Sequence, residues 1–200
     1  MISKPISKQH IPYKQTRQTH MKKKNIIVVS LAIVIFGAVV GNFAINMISQ
    51  TSKPAAEAPT LIGSALPEYK LLSLDGVREN GNQWLGKIQL INFWATWCPP
   101  CKREIPLLIE LQKEYKDRGL QVIGIALDKR EAVIKYVAEH NINYPVLAGD
   151  DEVADVSAKL GNDLGILPYT VIVDQSGKIS FIRYGEVDRE TAVTEIDKLL

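Results

Sequence analysis

The chain has 200 residues, with 24 Lys and Arg against 22 Asp and Glu and a net charge of +2. Seven of the basic residues and no acid fall in residues 1–24, so the rest of the chain is mildly acidic. Past residue 60 no element combines Lys or Arg with aromatics in the way a nucleic-acid surface requires, which sets a nucleic-acid partner aside.

Ile26 to Ile48 carries no charged side chain over 23 residues. As a helix it would measure roughly 34 Å, enough for a hydrocarbon core of about 30 Å. Basic residues before it and Lys53 alone just after it predict a cytoplasmic N-terminus and an exported C-terminal part. Ala56-Glu57-Ala58 resembles a signal-peptidase site. The uninterrupted apolar core, however, ends near Gly41, far upstream for such a site, which favours a retained anchor. The organisation read from the sequence is a basic cytoplasmic tail (1–24), a transmembrane signal-anchor (25–48), a polar Pro-containing linker (49–60) and one domain (61–200). That domain is expected on the extracytoplasmic, periplasmic side of the cytoplasmic membrane.

Within the domain, Leu66 to Leu74 followed by Asp75-Gly76 predicts a strand and a tight turn, because Asp-Gly accepts the positive φ angles of hairpins. Ile88 to Ala95 is bulky and β-favouring and predicts a buried strand that runs directly towards the cysteines. Ile105, Leu108, Leu111 and Tyr115 recur at helical steps until Gly119 stops the helix. Leu120 to Leu127 predicts a second buried strand and Arg130 to His140 a helix. A short strand at Tyr144 to Leu147 and a helix over Glu152 to Leu160 follow, with Asp150 and Asp151 at the helix start. Tyr169 to Val173 and Lys178 to Tyr184 flank Asp174-Gln175-Ser176-Gly177 as a hairpin. Arg189 to Leu200 closes the chain as a helix, with Ala192, Val193, Ile196, Leu199 and Leu200 on one face. Alternating strands and helices that end in a hairpin predict an α/β fold with a mixed sheet flanked by helices.

Cys98 and Cys101 are the only cysteines. A structural disulfide across so short a loop would restrict the unfolded chain little, and a lone pair lacks half the ligands of a closed zinc site. A redox pair suits the spacing, since one thiolate attacks a disulfide and the other resolves the mixed disulfide from nearby. At a strand-to-helix junction the helix dipole and free amides would favour a Cys98 thiolate, leaving Cys101, one turn inside, as the resolving thiol. Pro99 and Pro100 fit a first helical turn and leave the Cys101 amide as the nearest local donor to Cys98.

Asn92-Phe93-Trp94-Ala95-Thr96-Trp97-Cys98-Pro99-Pro100-Cys101-Lys102-Arg103-Glu104-Ile105-Pro106 and Gly165-Ile166-Leu167-Pro168-Tyr169-Thr170 resemble the active-site stretches of the extracytoplasmic TlpA/ResA-like thioredoxin family. The resemblance spans roughly residues 60 to 200. It implies a thioredoxin fold with an N-terminal hairpin and a helix-strand insertion, for which Arg130 to Leu147 is the candidate. It also implies a cis-proline at Pro168 beside the cysteines. Asn92 stands where cytoplasmic thioredoxins carry a buried acid, and Glu104 matches a glutamate that relatives place near the thiols. For Glu104 two readings stay open, a proton-exchanging group and a solvated helix carboxylate. Trp97, Pro99, Pro100, Leu167 and Pro168 are the expected substrate-contacting residues, while Trp94 reads as core or as part of the docking surface. Pro106 matches the family's helix kink, and His10, His20 and His140 read as solvated bystanders.

The implied activity is a dithiol-disulfide oxidoreductase of the protein-disulfide reductase type, with no organic cofactor and no metal. A membrane electron donor of the DsbD/CcdA type would recharge it. Apocytochrome c and copper-oxidase assembly factors are the implied clients. Two rival readings of the pair are a Cu(I) metallochaperone, since thiolates suit that ion, and peroxidase chemistry at Cys98. The first finds no methionine-rich face, because Met1, Met21 and Met47 all precede the domain; the second is weakened by the Trp-Cys-Pro-Pro-Cys setting.

Overall fold

The computed structural model describes residues 61–200. The predicted tail, membrane anchor and linker lie outside the described residues, and within those residues no helix is long and apolar enough to cross a membrane.

Among the described residues, seven strands and four α-helices follow in the order β1 (Lys70–Leu72), β2 (Arg78–Asn80), β3 (Ile88–Trp94), α1 (Pro99–Tyr115), β4 (Leu120–Leu127), α2 (Arg130–His140), β5 (Val146–Gly149), α3 (Asp151–Lys159), β6 (Tyr169–Val173), β7 (Ile179–Tyr184) and α4 (Arg189–Asp197). The main sheet has the order β5-β4-β3-β6-β7. Strands β3, β4 and β5 run parallel, and β6 and β7 are antiparallel to their neighbours. This is the mixed sheet of a thioredoxin fold. The insertion expected at Arg130 to Leu147 is helix α2 with strand β5, which extends to Gly149 and adds an edge strand beside β4.

All seven residues of β3 are buried, and their alternation divides the core. Leu90 and Trp94 join Ile105, Leu108, Leu111, Val133, Ala192 and Ile196 on the face covered by α1, α2 and α4. Ile91 and Phe93 join Leu71, Val153, Val156 and Tyr169 on the face covered by α3 and the N-terminal hairpin. A strand covered on both faces loses the polar half of its alternation, which is why Ile88 to Trp94 reads as a nearly continuous apolar run.

Several expected boundaries move for physical reasons. The strand expected over Leu66 to Leu74 shortens to Lys70–Leu72, which pairs with β2. Pro67 has no N–H for a ladder; ahead of it Gly63 and Leu66 donate to Ile179 and Gly177 at 2.7 and 2.8 Å. Asp75-Gly76 does form the turn, with Gly76 at φ +81°. The strand expected at Tyr144 begins two residues later, after Pro145. Helix α1 runs through Pro106, so that proline removes one internal amide without ending the helix. Helix α4 stops at Asp197, and Leu200 is 46% exposed, so the apolar face expected to reach Leu200 is shorter.

Candidate active site

Cys98 caps the N-terminus of α1 in an extended conformation (φ −91°, ψ 106°). Pro99 and Pro100 fill the first two helical positions, where an N–H would have no partner in any case. The first amide able to serve the Cys98 sulfur is therefore that of Cys101, which donates to Cys98 Sγ at 3.3 Å. The two cysteines are disulfide-bonded, with Cα atoms 5.4 Å apart. Cys98 retains 4% of its surface and Cys101 none, an order that fits an attacking and a resolving thiol. Among the described residues no group of three or more His, Cys, Asp or Glu side chains is arranged to hold a metal ion.

The loop from β3 into α1 is held by a residue that no local pattern announces. Asp128, just past β4, accepts through Oδ2 from the Thr96 amide at 3.0 Å and from the Thr96 hydroxyl at 2.5 Å. Its other oxygen accepts from the Lys129 amide at 2.7 Å. Trp97 follows with 62% of its surface exposed, whereas Trp94 is fully buried and belongs to the core. Pro99 is exposed and Pro100 half-buried.

The Leu167-Pro168 bond is cis. Pro168 is buried and Leu167 half-buried. The register pairs Phe93 with Tyr169, so Pro168 stands at the end of β6 nearest the cysteine loop. The Pro168 carbonyl accepts from the Gly185 amide at 2.9 Å.

Glu104 is 3% exposed, on the same buried face of α1 as Cys101, Ile105 and Leu108. Its burial rules out the solvated-carboxylate reading. Asn92 Nδ2 donates to Glu104 Oε1 and also to Thr170 Oγ1, the latter at 3.0 Å, while the Val187 amide donates to Glu104 Oε2 at 2.9 Å. Burial raises the Glu104 carboxyl to about 7; the Val187 and Asn92 bonds act against that rise, and the negative charge of Glu186 adds to it. The chain thus carries a near-neutral acid on the helix, steered by an amide on the strand. Glu186 is itself paired with Arg103 at the surface.

His140 stacks on Tyr136, with ring centroids 3.8 Å apart, and its Nδ1 lies 3.0 Å from the Tyr136 carbonyl. It takes no part in the cysteine site. His10 and His20 lie outside the described residues. Asp128, Thr170 and Val187 are the contributors that sequence reasoning missed. Each acts across a long stretch of chain, and Val187 acts through its backbone, which leaves no side-chain signal.

The family model described as the AhpC/TSA family matches residues 62–182. A relative from Geobacillus kaustophilus, Thiol-disulfide oxidoreductase ResA, is 26% identical over 181 residues, covering 90% of this chain and 99% of its own. The protein of the same name from Bacillus thuringiensis is 30% identical over 130 residues, covering 64% of this chain and 73% of its own. Among solved structures, a thiol:disulfide interchange protein of the thioredoxin family from Chlorobium tepidum superimposes with a TM-score of 0.60 at 29% identity, over 68% of this chain and 94% of its own.

Proposed function

Because the chain belongs to the AhpC/TSA family and is a TlpA/ResA-like thiol-disulfide oxidoreductase, we propose that it reduces protein disulfides outside the cytoplasm. The observation that carries this reading is the capped cysteine pair: Cys98 at the N-terminus of α1 with the Cys101 amide on its sulfur, and Cys101 fully buried behind it. A donor and a helix N-terminus both favour the thiolate over the thiol.

In the proposed cycle the Cys98 thiolate attacks one sulfur of a client disulfide and the other client sulfur leaves as a thiolate. Cys101, deprotonated, then attacks Cys98 Sγ. The second client thiolate departs and the Cys98-Cys101 disulfide forms. Two electrons pass to the client, and the proton lost by Cys101 must find an acceptor. Glu104, one helical turn away and titrating near 7, is suited to take it and pass it on, because proton transfer is most effective from groups titrating near the working pH. Trp97, Pro99, Pro100, Leu167 and Pro168 form the client-contacting set, with exposed Trp97 supplying apolar area. The uncharged run from Ile26 to Ile48 and the basic residues ahead of it support a single-pass anchor with the domain on the periplasmic side. A donor of the DsbD/CcdA type in the membrane would return the pair to its dithiol form. Apocytochrome c and copper-oxidase assembly factors are the clients this placement suits.

A Cys101→Ser substitution in the full chain removes the resolving thiol and should arrest clients as mixed disulfides on Cys98. Recovery of cysteine-containing exported proteins, released by reductant and absent from a Cys98→Ser control, is the expected result. An equal yield from both variants would refute the assignment of Cys98 as attacker.

A further inference from the structure

The chain from Gly161 to Ile166, just ahead of the cis bond, forms a loop that packing alone does not hold. Gly161 and Gly165 bend it at φ +99° and +61°, and Asp163, Leu164, Gly165 and Ile166 are all exposed. An exposed, glycine-containing loop gains little from burial and loses much backbone freedom on ordering. One side chain supplies the order. Asn162, 3% exposed, turns its carboxamide on Ile166 and engages both backbone groups of that residue. Its Oδ1 accepts from the Ile166 amide at 3.0 Å, and its Nδ2 donates to the Ile166 carbonyl at 2.9 Å. Nδ2 also donates to the buried Ser157 Oγ on α3 at 3.0 Å. The backbone adds two more bonds at 3.0 Å: the Asn162 amide donates to the Ser157 carbonyl, and the Asn162 carbonyl accepts from the Gly165 amide. Every donor of Asn162 is thus spent on this loop and on the end of α3.

We propose that Asn162 is a positioning residue for client recognition, its two-point clamp on Ile166 holding the cis-proline loop in shape before a client arrives. The inference rests on the reading of the chain as a reductase of protein disulfides, and it deepens that reading. Leu167 lies between two fixed points, since Asn162 holds Ile166 on one side and the Gly185 amide donates to the Pro168 carbonyl at 2.9 Å on the other. Asn162 and Leu167 also line one cavity of about 290 Å³, together with Phe93, Leu127 and Val153. The loop therefore has room to shift once the clamp is cut. A loop already ordered in its binding shape spares the complex that ordering cost. The cysteines are mounted independently: the Cys98 amide donates to the Ala95 carbonyl at 3.2 Å, its sulfur accepts from the Cys101 amide, and Asp128 holds Thr96. Loss of the clamp accordingly bears on docking of a large client and leaves the thiol chemistry in place.

The test measures kcat and KM for insulin disulfide reduction by the full chain, turned over by dithiothreitol, in the wild type, Asn162→Ala and Asn162→Asp. The rate with a small aromatic disulfide is measured beside it. Asn162→Asp is nearly isosteric, so the shape of the site is kept, but it puts a carboxylate oxygen where Nδ2 met the Ile166 carbonyl. Both variants should raise the KM for insulin roughly tenfold while kcat and the small-disulfide rate hold within about twofold, the pattern of lost binding rather than lost chemistry. Hydrogen exchange at the Ile166 amide should quicken in both, with exchange in β3 unaltered, which separates a freed loop from a loosened core. An insulin KM unmoved in Asn162→Asp while the Ile166 amide exchanges faster overturns the role of Asn162 alone. An equal fall in the rates with insulin and with the small disulfide also overturns it, since the residue would then serve the fold and not docking. A wild type that reduces the small disulfide but not insulin overturns the reductase reading and this inference with it.

Discussion

Glu104 makes the stability of the oxidised protein depend on pH in a direction opposite to that of an ion-paired carboxylate. Its carboxyl titrates at about 7 in the fold against 4.5 for an unperturbed glutamate. Between those values the native state holds a proton that the unfolded chain has released. Stability must therefore fall as pH rises through the window from 4.5 to about 7 and level off above it. At roughly 1.4 kcal/mol for each pH unit of difference, the loss across the window is about 3 kcal/mol. That is a large share of a domain's usual stability of roughly 5–15 kcal/mol. Glu104→Gln removes the titration. Its oxygen can accept from only one side at a time, so either the Val187 amide or Asn92 loses a partner, at a cost of about 1–3 kcal/mol at every pH. The variant should thus be less stable than the wild type near pH 5 and equal or more stable near pH 8. Urea unfolding followed through the buried Trp94, at pH 5, 6, 7 and 8, measures the crossing. Parallel pH dependence in the two proteins would refute the assignment of a buried, near-neutral carboxyl.

Replacing Pro99 with alanine restores an amide beside the Cys98 sulfur, where the Cys101 amide now donates alone. The Cys98 thiol should become more acidic, read from thiolate absorbance against pH in the reduced protein; no change or a rise would contradict the donor account. Gly124→Ala places a methyl 3.1 Å from Trp94 Nε1 and Tyr144 Cε2, and should destabilise the protein by about 1–3 kcal/mol, as overpacking does, measured as a lower urea midpoint. Trp97→Ala should leave the unfolding midpoint within about 0.5 kcal/mol of wild type, as exposed positions do. It should lower kcat/KM for a protein disulfide roughly tenfold or more, as loss of an exposed aromatic anchor does, while reactivity towards a small disulfide holds steady.

How much of the protein could be read in advance depended on the range of the interactions involved. The strands flanking the cysteines, the helix from Pro99, the terminal hairpin and the insertion were all legible, because a buried strand and an amphipathic helix write their periods into adjacent residues. The exposure of Trp97 was legible too, whereas the break at Pro67 was passed over although the residue responsible was in view. Glu104 was visible only as an acid one turn past Cys101, with a solvated role as open as a functional one. Its hydrogen-bond donors are the Val187 amide 83 residues away and Asn92 12 residues before it. Asp128, 32 residues from Thr96, carried no local mark.

Residues close together in the chain already specify the mounting of the cysteine pair. Cys98 and Cys101 sit at a strand-to-helix junction, and two prolines leave one amide to serve the outer sulfur. These are consequences of residues within one helical turn, where covalent connection already enforces proximity. The proton side of the site exists only in the folded protein. Folding desolvates Glu104 and brings Asn92 and Val187 to its two oxygens. A carboxyl's proton affinity depends on what surrounds it in space, and Glu104, Asn92 and Val187 come from three separate stretches of chain that only the fold brings together.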